Sequence, residues 1–228
     1  GVNPLQSLMA QADACLKRQE WDRVRSLCQK ALLLTQRAPV PDNTVQADCY
    51  ITLGGIALDQ ERRYRKSLVL YRQGWRAAVK QGATGEGGMV FARIYRNLAS
   101  NYYHLGRYCV AERMARKALA LLEQQGGAYH PFFLDYLNTL FTILQQQGRW
   151  QEAGAVAWRG VVVRGKTLGR RHPEYLSAIF DLGVFCGYSR QARLARIFLT
   201  KYLQGCQFAR LPPARGMVFA YGSLAQLR

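Results

Sequence analysis

The chain has 228 residues, 49% of them hydrophobic, and its formal net charge at pH 7 is +18. This length and composition suffice to bury a core. No apolar run approaches the roughly 18 residues of a membrane-spanning helix, so we expect a soluble protein. The chain begins with Gly and shows no basic-then-apolar leader, which is typical of a segment taken from a longer protein without its targeting signals.

The positive charge is unevenly distributed along the chain. Residues 1–60 contain six basic and six acidic side chains, whereas residues 61–228 contain 26 basic and eight acidic ones. The excess begins at Glu61-Arg62-Arg63. It is larger than the net charge of about 2–8 that solubility requires of a small domain, so a role in binding an anionic partner has to be considered.

Apolar periodicity predicts five consecutive helical hairpins and a final single helix, all in one domain, 1–228. The paired helices are 4–17 with 22–37, 44–60 with 64–80, 89–105 with 109–125, 131–147 with 151–167, and 173–187 with 190–205, and the last helix is 214–227. The corresponding repeats are 4–38, 44–81, 89–126, 131–168 and 173–206. The segment Val40-Pro41-Asp42-Asn43-Thr44 breaks the chain and offers a cap to the next helix, which contains Leu53-Gly54, the small pair expected where two helices cross.

Residues 82–88, Gly-Ala-Thr-Gly-Glu-Gly-Gly, are the most glycine-rich segment. Glycines this dense can surround a phosphate group. A phosphate loop, however, needs a preceding strand and a Lys-Ser or Lys-Thr at the helix start, where Met89 and Val90 stand instead. The segment therefore favours a mobile loop between repeats, and Leu211-Pro212-Pro213 is predicted to end the fifth hairpin.

Two markers recur at a single offset. Gly106-Arg107-Tyr108 returns 42 residues later as Gly148-Arg149-Trp150, and His130-Pro131 returns 42 residues later as His172-Pro173. The glycine permits the positive φ that ends a helix, and we expect the aromatic ring to plug the seam between paired helices. The proline suits the first turn of the next helix. Tandem repeats follow from this recurrence, although Gly187-Tyr188-Ser189-Arg190 replaces the turn in the fifth hairpin.

This pattern resembles the tetratricopeptide repeat (TPR), and its long period and His-Pro closure resemble the kinesin-light-chain type. The residues that fall where the TPR pattern expects them are Leu98, Ala99, Tyr102, Gly106, Arg107, Tyr108, Ala111 and Ala118. The resemblance implies an all-α, right-handed superhelical solenoid of tandem helical hairpins with a C-terminal capping helix. Repeat proteins of the amyloid-protein-binding type have similar His-Pro-closed repeats.

Catalytic and metal-binding residues are not evident in the sequence. His104, His130 and His172 are the only histidines, and two of them lie in the repeated His-Pro turn, where a structural role is favoured. Six cysteines, with no CxxC spacing, are predicted to be reduced thiols that pack in the core of a cytoplasmic protein. They are Cys15, Cys28, Cys49, Cys109, Cys186 and Cys206. We expect no enzyme activity, no cofactor and no metal.

The resemblance also implies a peptide-binding groove formed by the first helix of each hairpin. The positions that would face it are Arg93, Arg96, Asn97, Ser100, Tyr103 and His104 in the third repeat, and Asp135, Asn138, Thr142 and Gln145, with Thr139 and Gln146, in the fourth. Asn can bond the N–H and C=O of an extended chain together, and Arg can hold a carboxylate. The second repeat offers Asp48 without a basic clamp, and the fifth offers Phe180, Asp181 and Val184, so we expect an apolar groove there.

Most basic residues fall on second helices, away from this groove. The predicted basic face consists of Arg72, Arg76, Arg113, Arg116, Lys117, Arg159, Arg193, Arg196 and Lys201. Such a face attracts acidic proteins, nucleic acid or anionic lipid. It can equally be a solvated surface. Nucleic acid is less favoured, because exposed aromatic residues for stacking are scarce beyond Trp75 and Trp158.

These observations predict a protein-binding adaptor or scaffold that holds an extended peptide or a helix of a partner in its groove and docks an acidic partner on its basic face. Nucleic-acid binding through the basic face is the alternative from another class. Resemblance alone allows cargo binding or substrate recognition within a ubiquitin ligase. The groove could also be filled by another part of a parent protein or by a second copy of the chain.

Overall fold

The structure is a computed structural model that describes residues 4–80, 82, 87–127, 130–209 and 215–226. Within these ranges the chain is helical and contains no strand. The helices are α1 (Pro4–Lys17), α2 (Trp21–Arg37), α3 (Asn43–Asp59), α4 (Tyr64–Lys80), α5 (Gly87–His104), α6 (Tyr108–Gln125), α7 (Phe133–Gln146), α8 (Trp150–Thr167), α9 (Pro173–Tyr188), α10 (Ala192–Phe208) and α11 (Arg215–Gln226). The all-helical prediction is confirmed. No helix in the described ranges is long and apolar enough to cross a membrane.

Two predicted loops fall largely outside the described residues. Of the glycine-rich segment 82–88, only Gly82 and the first residues of α5 are described, so neither the mobile-loop nor the phosphate-loop interpretation is addressed. The predicted break at 211–213 also lies outside them.

The chain divides into two compact units, Gly1–Gly127 and Ala128–Arg228. In the first unit, α1 packs on α2, α3 on α4 and α5 on α6, and successive pairs meet through α2 with α3 and through α4 with α5. In the second unit, α7 packs on α8 and α9 on α10, with α11 following against α10. Each unit is therefore built from helical hairpins that are consecutive in sequence.

Every hairpin turns through a residue with positive φ. Gly106 and Gly148 both have φ +70°, as the Gly-Arg-aromatic pattern predicts. The other three turns use Gln19 (φ 60°), Arg62 (φ 50°) and Arg190 (φ 58°). A left-handed conformation costs an L-residue roughly 1–2 kcal/mol, so these three turns are strained where the two glycine turns are not. Because Arg190 occupies the turn itself, α10 begins at Ala192, two residues later than predicted.

Small residues let the helices of a hairpin approach closely. Gly54 of α3 faces Tyr71 of α4, and a Cβ added to Gly54 would lie 2.5 Å from the Tyr71 ring. Ala111, Ala115 and Ala118 of α6 are all buried. These contacts agree with the predicted roles of Gly54 and the three alanines.

Two of the aromatic residues at the turns, Tyr64 and Trp150, contact the next hairpin without being fully buried. Tyr64 stacks on His104 with ring centroids 5.4 Å apart, and Trp150 contacts Phe185 at 6.0 Å. Trp150 is nevertheless 44% exposed. The prediction that these rings plug the seam is therefore only partly right. Their contacts extend to the first helix of the next hairpin and so help to join consecutive repeats.

Side chains cap the starts of two helices, α3 and α9. The Asp42 side chain accepts hydrogen bonds from the backbone N–H groups of Thr44 and Val45 at the start of α3. His172 accepts one from Glu174 N–H at 3.2 Å and caps α9, whose first residue is Pro173. His130 Nδ1 accepts one from Phe132 N–H at 3.2 Å. Both His-Pro histidines thus have the predicted structural role, although α7 begins at Phe133, beyond the proline at 131.

Candidate functional site

The six residues predicted for the groove in the third repeat lie along one face of α5. None of Arg93, Arg96, Asn97, Ser100, Tyr103 and His104 is fully buried. Their spacing of three or four residues follows the turn of the helix. We call this surface the α5 face. It belongs to the first unit, and the α7 residues predicted for the fourth repeat belong to the second.

Arg93 is held by an acidic residue of the preceding hairpin. Its Nη1 lies 2.7 Å from Oδ1 of Asp48 on α3, and both side chains are partly exposed. The pair fixes the guanidinium against α3. A ligand carboxylate would have to compete with Asp48 for Arg93, so the α5 face is poorly suited to a carboxylate clamp.

A second carboxylate of α3 lies near the other end of the α5 face. The residue Asp59 is exposed, yet desolvation of its carboxyl group is the largest influence on it and raises its pKa. The positive charge of Arg96 and that of His104 when protonated act in the opposite direction. Acidic residues of α3 therefore lie near the basic residues of α5. The net charge at the α5 face is closer to zero than the sequence of α5 alone suggests.

Asn97 provides the hydrogen-bonding amide of the α5 face. Its Oδ1 accepts from Arg96 Nη1 at 3.2 Å, which leaves the Nδ2 donors for a ligand. Tyr103 packs against His104 edge-on, with ring centroids 5.3 Å apart, and against Tyr108 at 5.6 Å. The face thus combines an oriented amide with partly exposed aromatic rings, which suits the backbone and side chains of a peptide.

The α7 residues are accessible but less available for binding. Asp135, Asn138 and Thr142 are exposed, and Gln145 is half-buried. Thr142 Oγ1 donates to the Asn138 carbonyl at 2.9 Å, and Thr139 Oγ1 donates to that of Asp135 at 3.1 Å. These bonds satisfy the threonine hydroxyls within the helix. The threonines therefore need no ligand to account for their presence.

Asn138 also lines a cavity between α7, α8 and α9. The cavity has a volume of about 230 Å³, with Leu137, Phe141 and Phe185 among its apolar lining residues. Asp181, which also lines it, has a pKa raised by burial and opposed by the charge of Arg164. Arg164 lines the cavity as well, so its walls are apolar with one acidic and one basic side chain, and it can receive one side chain of a partner.

The apolar groove predicted at the fifth repeat is covered by the last helix. The Phe180 ring contacts Tyr202 at 5.0 Å and Phe219 of α11 at 5.8 Å. Val184 and Phe219 line a cavity of about 440 Å³ between α9, α10 and α11. The last helix therefore packs over Phe180, at the end of the stack where the sequence predicts a capping helix.

The nine residues of the predicted basic face are all exposed on second helices. Arg72 and Arg76 lie on α4, Arg113, Arg116 and Lys117 on α6, Arg159 on α8, and Arg193, Arg196 and Lys201 on α10. Some of them have a structural role. Arg116 pairs with Glu112 at 2.8 Å, and the cations of Lys117, Arg159 and Lys201 lie 5.0–5.9 Å from the ring centroids of Tyr95, Phe133 and Trp158.

The acidic partners on α3 were not predicted from the sequence. Asp48 was placed in the groove but not paired with Arg93, and Asp59 was missed. The repeat length could have indicated the pair of Asp48 and Arg93, because these residues are 45 positions apart, which is about one repeat. Residues separated by about one repeat lie on neighbouring first helices, so opposite charges at that offset can meet.

Comparison with known proteins identifies the repeat. Residues 90–157 match the family model of the tetratricopeptide repeat. No curated protein matches the chain significantly. Among solved structures, BtubC (BKLC) from P. vanneervenii superposes with a TM-score of 0.72 and 17% identity, over 92% of this chain and 83% of that one.

Two further structures agree. Nearly identical TPR-like repeats assigned to a kinesin light chain of Podospora anserina give a TM-score of 0.70 at 16% identity, over 91% of this chain and 97% of that one. YrrB, a TPR protein with an unusual peptide-binding site, gives 0.55 at 17% identity, over 94% and 90%. Residues 90–157 are therefore tetratricopeptide repeats, and the chain has the helical-repeat fold of kinesin-light-chain-type TPR proteins, as the sequence predicts.

Proposed function

We propose that this chain is a non-enzymatic adaptor that binds an extended segment of a partner protein along the α5 face and docks an acidic partner on its basic face. TPR folds serve in general as scaffolds for protein–protein interaction. One observation carries the proposal. The accessible side of α5 carries a row of polar and aromatic side chains, in which Asp48 of α3 holds Arg93 and Arg96 holds Asn97.

The chemistry of the α5 face favours a peptide backbone over a terminal carboxylate. Asp48 already occupies Arg93 at 2.7 Å. The Asn97 amide can donate to a carbonyl of an extended chain whatever its side chains are. Specificity then comes from the rings of Tyr103 and His104 and from the side chains of the partner. YrrB, a protein of the same fold, has a peptide-binding site.

A reducing, cytoplasmic compartment fits this proposal. All six cysteines are free thiols, and four of them are buried among helices. The large excess of basic side chains beyond residue 60 supports docking of an acidic partner.

The test is a pull-down from cell lysate at about 150 mM salt, with and without nuclease. The chain is compared with Arg96→Ala/Asn97→Ala and with a matched control, Gln36→Ala/Arg37→Ala, which removes an amide and a guanidinium from exposed neighbouring positions of α2, outside both proposed binding surfaces. Partners are identified by mass spectrometry, and their affinity is then measured with purified protein. Loss of two hydrogen-bonding side chains should weaken binding about tenfold to a hundredfold, since each bond contributes about 0.5–1.5 kcal/mol.

A partner that survives nuclease, weakens with the α5 variant and is retained by the α2 control supports the proposal. A partner that is lost on nuclease treatment would point to nucleic-acid binding. Equal binding by all three proteins would show that the α5 face is not the binding surface.

A further inference from the structure

The outer side of α4 is the most one-sidedly charged helix face of the first unit. The helix Tyr64–Lys80 contains five basic residues and no acidic one. Arg65, Arg72, Arg76 and Lys80 are all exposed. No ion pair to any of these four is found in the described part of the chain, unlike Lys66, whose Nζ lies 3.6 Å from Glu61.

The acidic residue just before α4 already pairs with three other basic residues. Glu61, just before α4, lies 2.6 Å from Arg25, 3.5 Å from Arg63 and 3.6 Å from Lys66. It cannot also neutralise the cations further along the helix, because α4 rises about 1.5 Å per residue and carries them away from it. The middle of α4 is therefore a row of cations without a counter-charge from its own hairpin.

This arrangement is unfavourable for α4 as an isolated helix. Arg72, Arg76 and Lys80 follow one another at four-residue spacing, where like charges repel. Arg65 and Lys66 lie in the first turn, where the helix dipole favours acidic residues and where none is present. Neither feature stabilises the hairpin. Binding of an anionic ligand therefore explains the row of cations better than a contribution to folding does.

Apolar side chains are interleaved with these cations. Val69 is 53% exposed, Val79 47% and Trp75 43%. Arg65, Val69, Arg72, Arg76 and Val79 succeed one another at intervals of four, three, four and three residues. This is the spacing of the seam along which one helix packs on another. We call these five residues the α4 seam.

We propose that the α4 seam docks an acidic amphipathic helix of a partner protein. The partner helix lies along α4, with carboxylates beside Arg65, Arg72 and Arg76 and apolar side chains on Val69 and Val79. Buried charge at a seam selects the partner and its register at some expense of affinity. A nucleic-acid backbone would match the cations but would leave both valines uncovered, so the interleaving favours a protein helix.

This inference rests on the proposed docking of an acidic partner, and it does not depend on the α5 face. The probe is a synthetic helical peptide about three heptads long with Leu and Glu at its seam positions. A scrambled peptide of the same composition measures attraction by charge alone, and a single-stranded oligonucleotide measures attraction of phosphate. Binding to the complete chain is followed by fluorescence anisotropy at about 150 mM salt.

Three variants distinguish the contributions. Arg72→Glu/Arg76→Glu reverses the charge of the seam. Arg170→Glu/Arg171→Glu makes the same change of net charge at exposed positions between α8 and α9, outside the basic face, and is the matched control. Val69→Ser/Val79→Ser removes the apolar part of the seam and keeps its charge. Circular dichroism of each variant confirms that it is folded.

We expect the amphipathic peptide to bind at least about tenfold more tightly than the scrambled one. Its binding should weaken about tenfold or more with either α4 variant and should be unaffected by Arg170→Glu/Arg171→Glu. Equal binding of both peptides, with equal loss for both charge reversals, would overturn the α4 seam while leaving general docking of acidic partners intact. If neither peptide binds, or if only the oligonucleotide binds, both the inference and the proposed docking of acidic partners fail.

Discussion

Gly106 and Gly55 offer a pair of identical substitutions for which the structure predicts opposite effects on stability. A Cβ added at either position meets no atom within 4 Å, so packing does not enter the comparison. Gly106 has φ +70° at the turn between α5 and α6, whereas Gly55 lies inside α3 without a positive φ. The sign of the effect of Gly→Ala should therefore depend on the backbone alone.

The magnitudes follow from conformational preference. In Gly106→Ala, the left-handed conformation costs the alanine roughly 1–2 kcal/mol. Alanine also lowers the conformational entropy of the unfolded chain, which stabilises the folded state by about 0.4–1 kcal/mol. The net loss is about 1 kcal/mol, or about 2–4 °C in Tm for a chain of this size. Gly55→Ala should stabilise by about 0.5–1 kcal/mol, because alanine is the better helix former.

The free energy of unfolding is measured by urea denaturation followed by circular dichroism, with Tm from thermal scans. Arg190→Gly is a third variant, since it relieves a non-glycine residue at φ 58° and should not destabilise. If Gly106→Ala and Gly55→Ala shift the midpoint in the same direction, the assignment of strain to the turn is wrong.

Two further predictions concern individual side chains. Because burial raises the pKa of Asp59 and Arg96 opposes this, Arg96→Met should raise that pKa further in an NMR titration, and an unchanged pKa would refute the proximity. The folded chain binds the Asp59 proton more tightly than the unfolded chain does. Asp59 therefore stabilises the fold at low pH, and this contribution is lost as the pH rises through its folded pKa. In Asp59→Asn, this part of the pH dependence of the urea midpoint should disappear. Among the cysteines, the exposed Cys109 should react first with a thiol reagent, ahead of the buried Cys28 and of Cys186, whose pKa burial raises; equal rates in the native chain would contradict the burial pattern.

The sequence predicts the repeats well where a residue type has one conformational use. Gly106 and Gly148 mark two turns because glycine alone adopts positive φ without strain. Both lie within residues 90–157, the range that matches the TPR family model. The turns at Gln19, Arg62 and Arg190 have the same backbone conformation without the glycine. Their residue types do not reveal it, and this is why the start of α10 was predicted two residues too early.

The sequence predicts which residues form the α5 face but not which residues of other helices contact them. The α5 face follows from helical periodicity once Gly106 sets the register. The contact between Asp48 and Arg93 depends on how two first helices lie beside each other, which periodicity within one helix does not contain. The covering of Phe180 by Phe219 likewise depends on where the last helix packs. Both contacts are determined by packing between different helices, which the local sequence of one helix does not indicate.

The ion pairs between neighbouring hairpins also bear on how the first unit unfolds. Arg25 with Glu61 and Arg93 with Asp48 each join one hairpin to the next. In a linear array, the coupling between neighbours determines whether the repeats melt together or one at a time. Salt screens charges but leaves apolar contacts in place, so ionic strength becomes a control on cooperativity. At high salt the N-terminal hairpins should open over a broader range of denaturant than at low salt, even where the overall stability changes little.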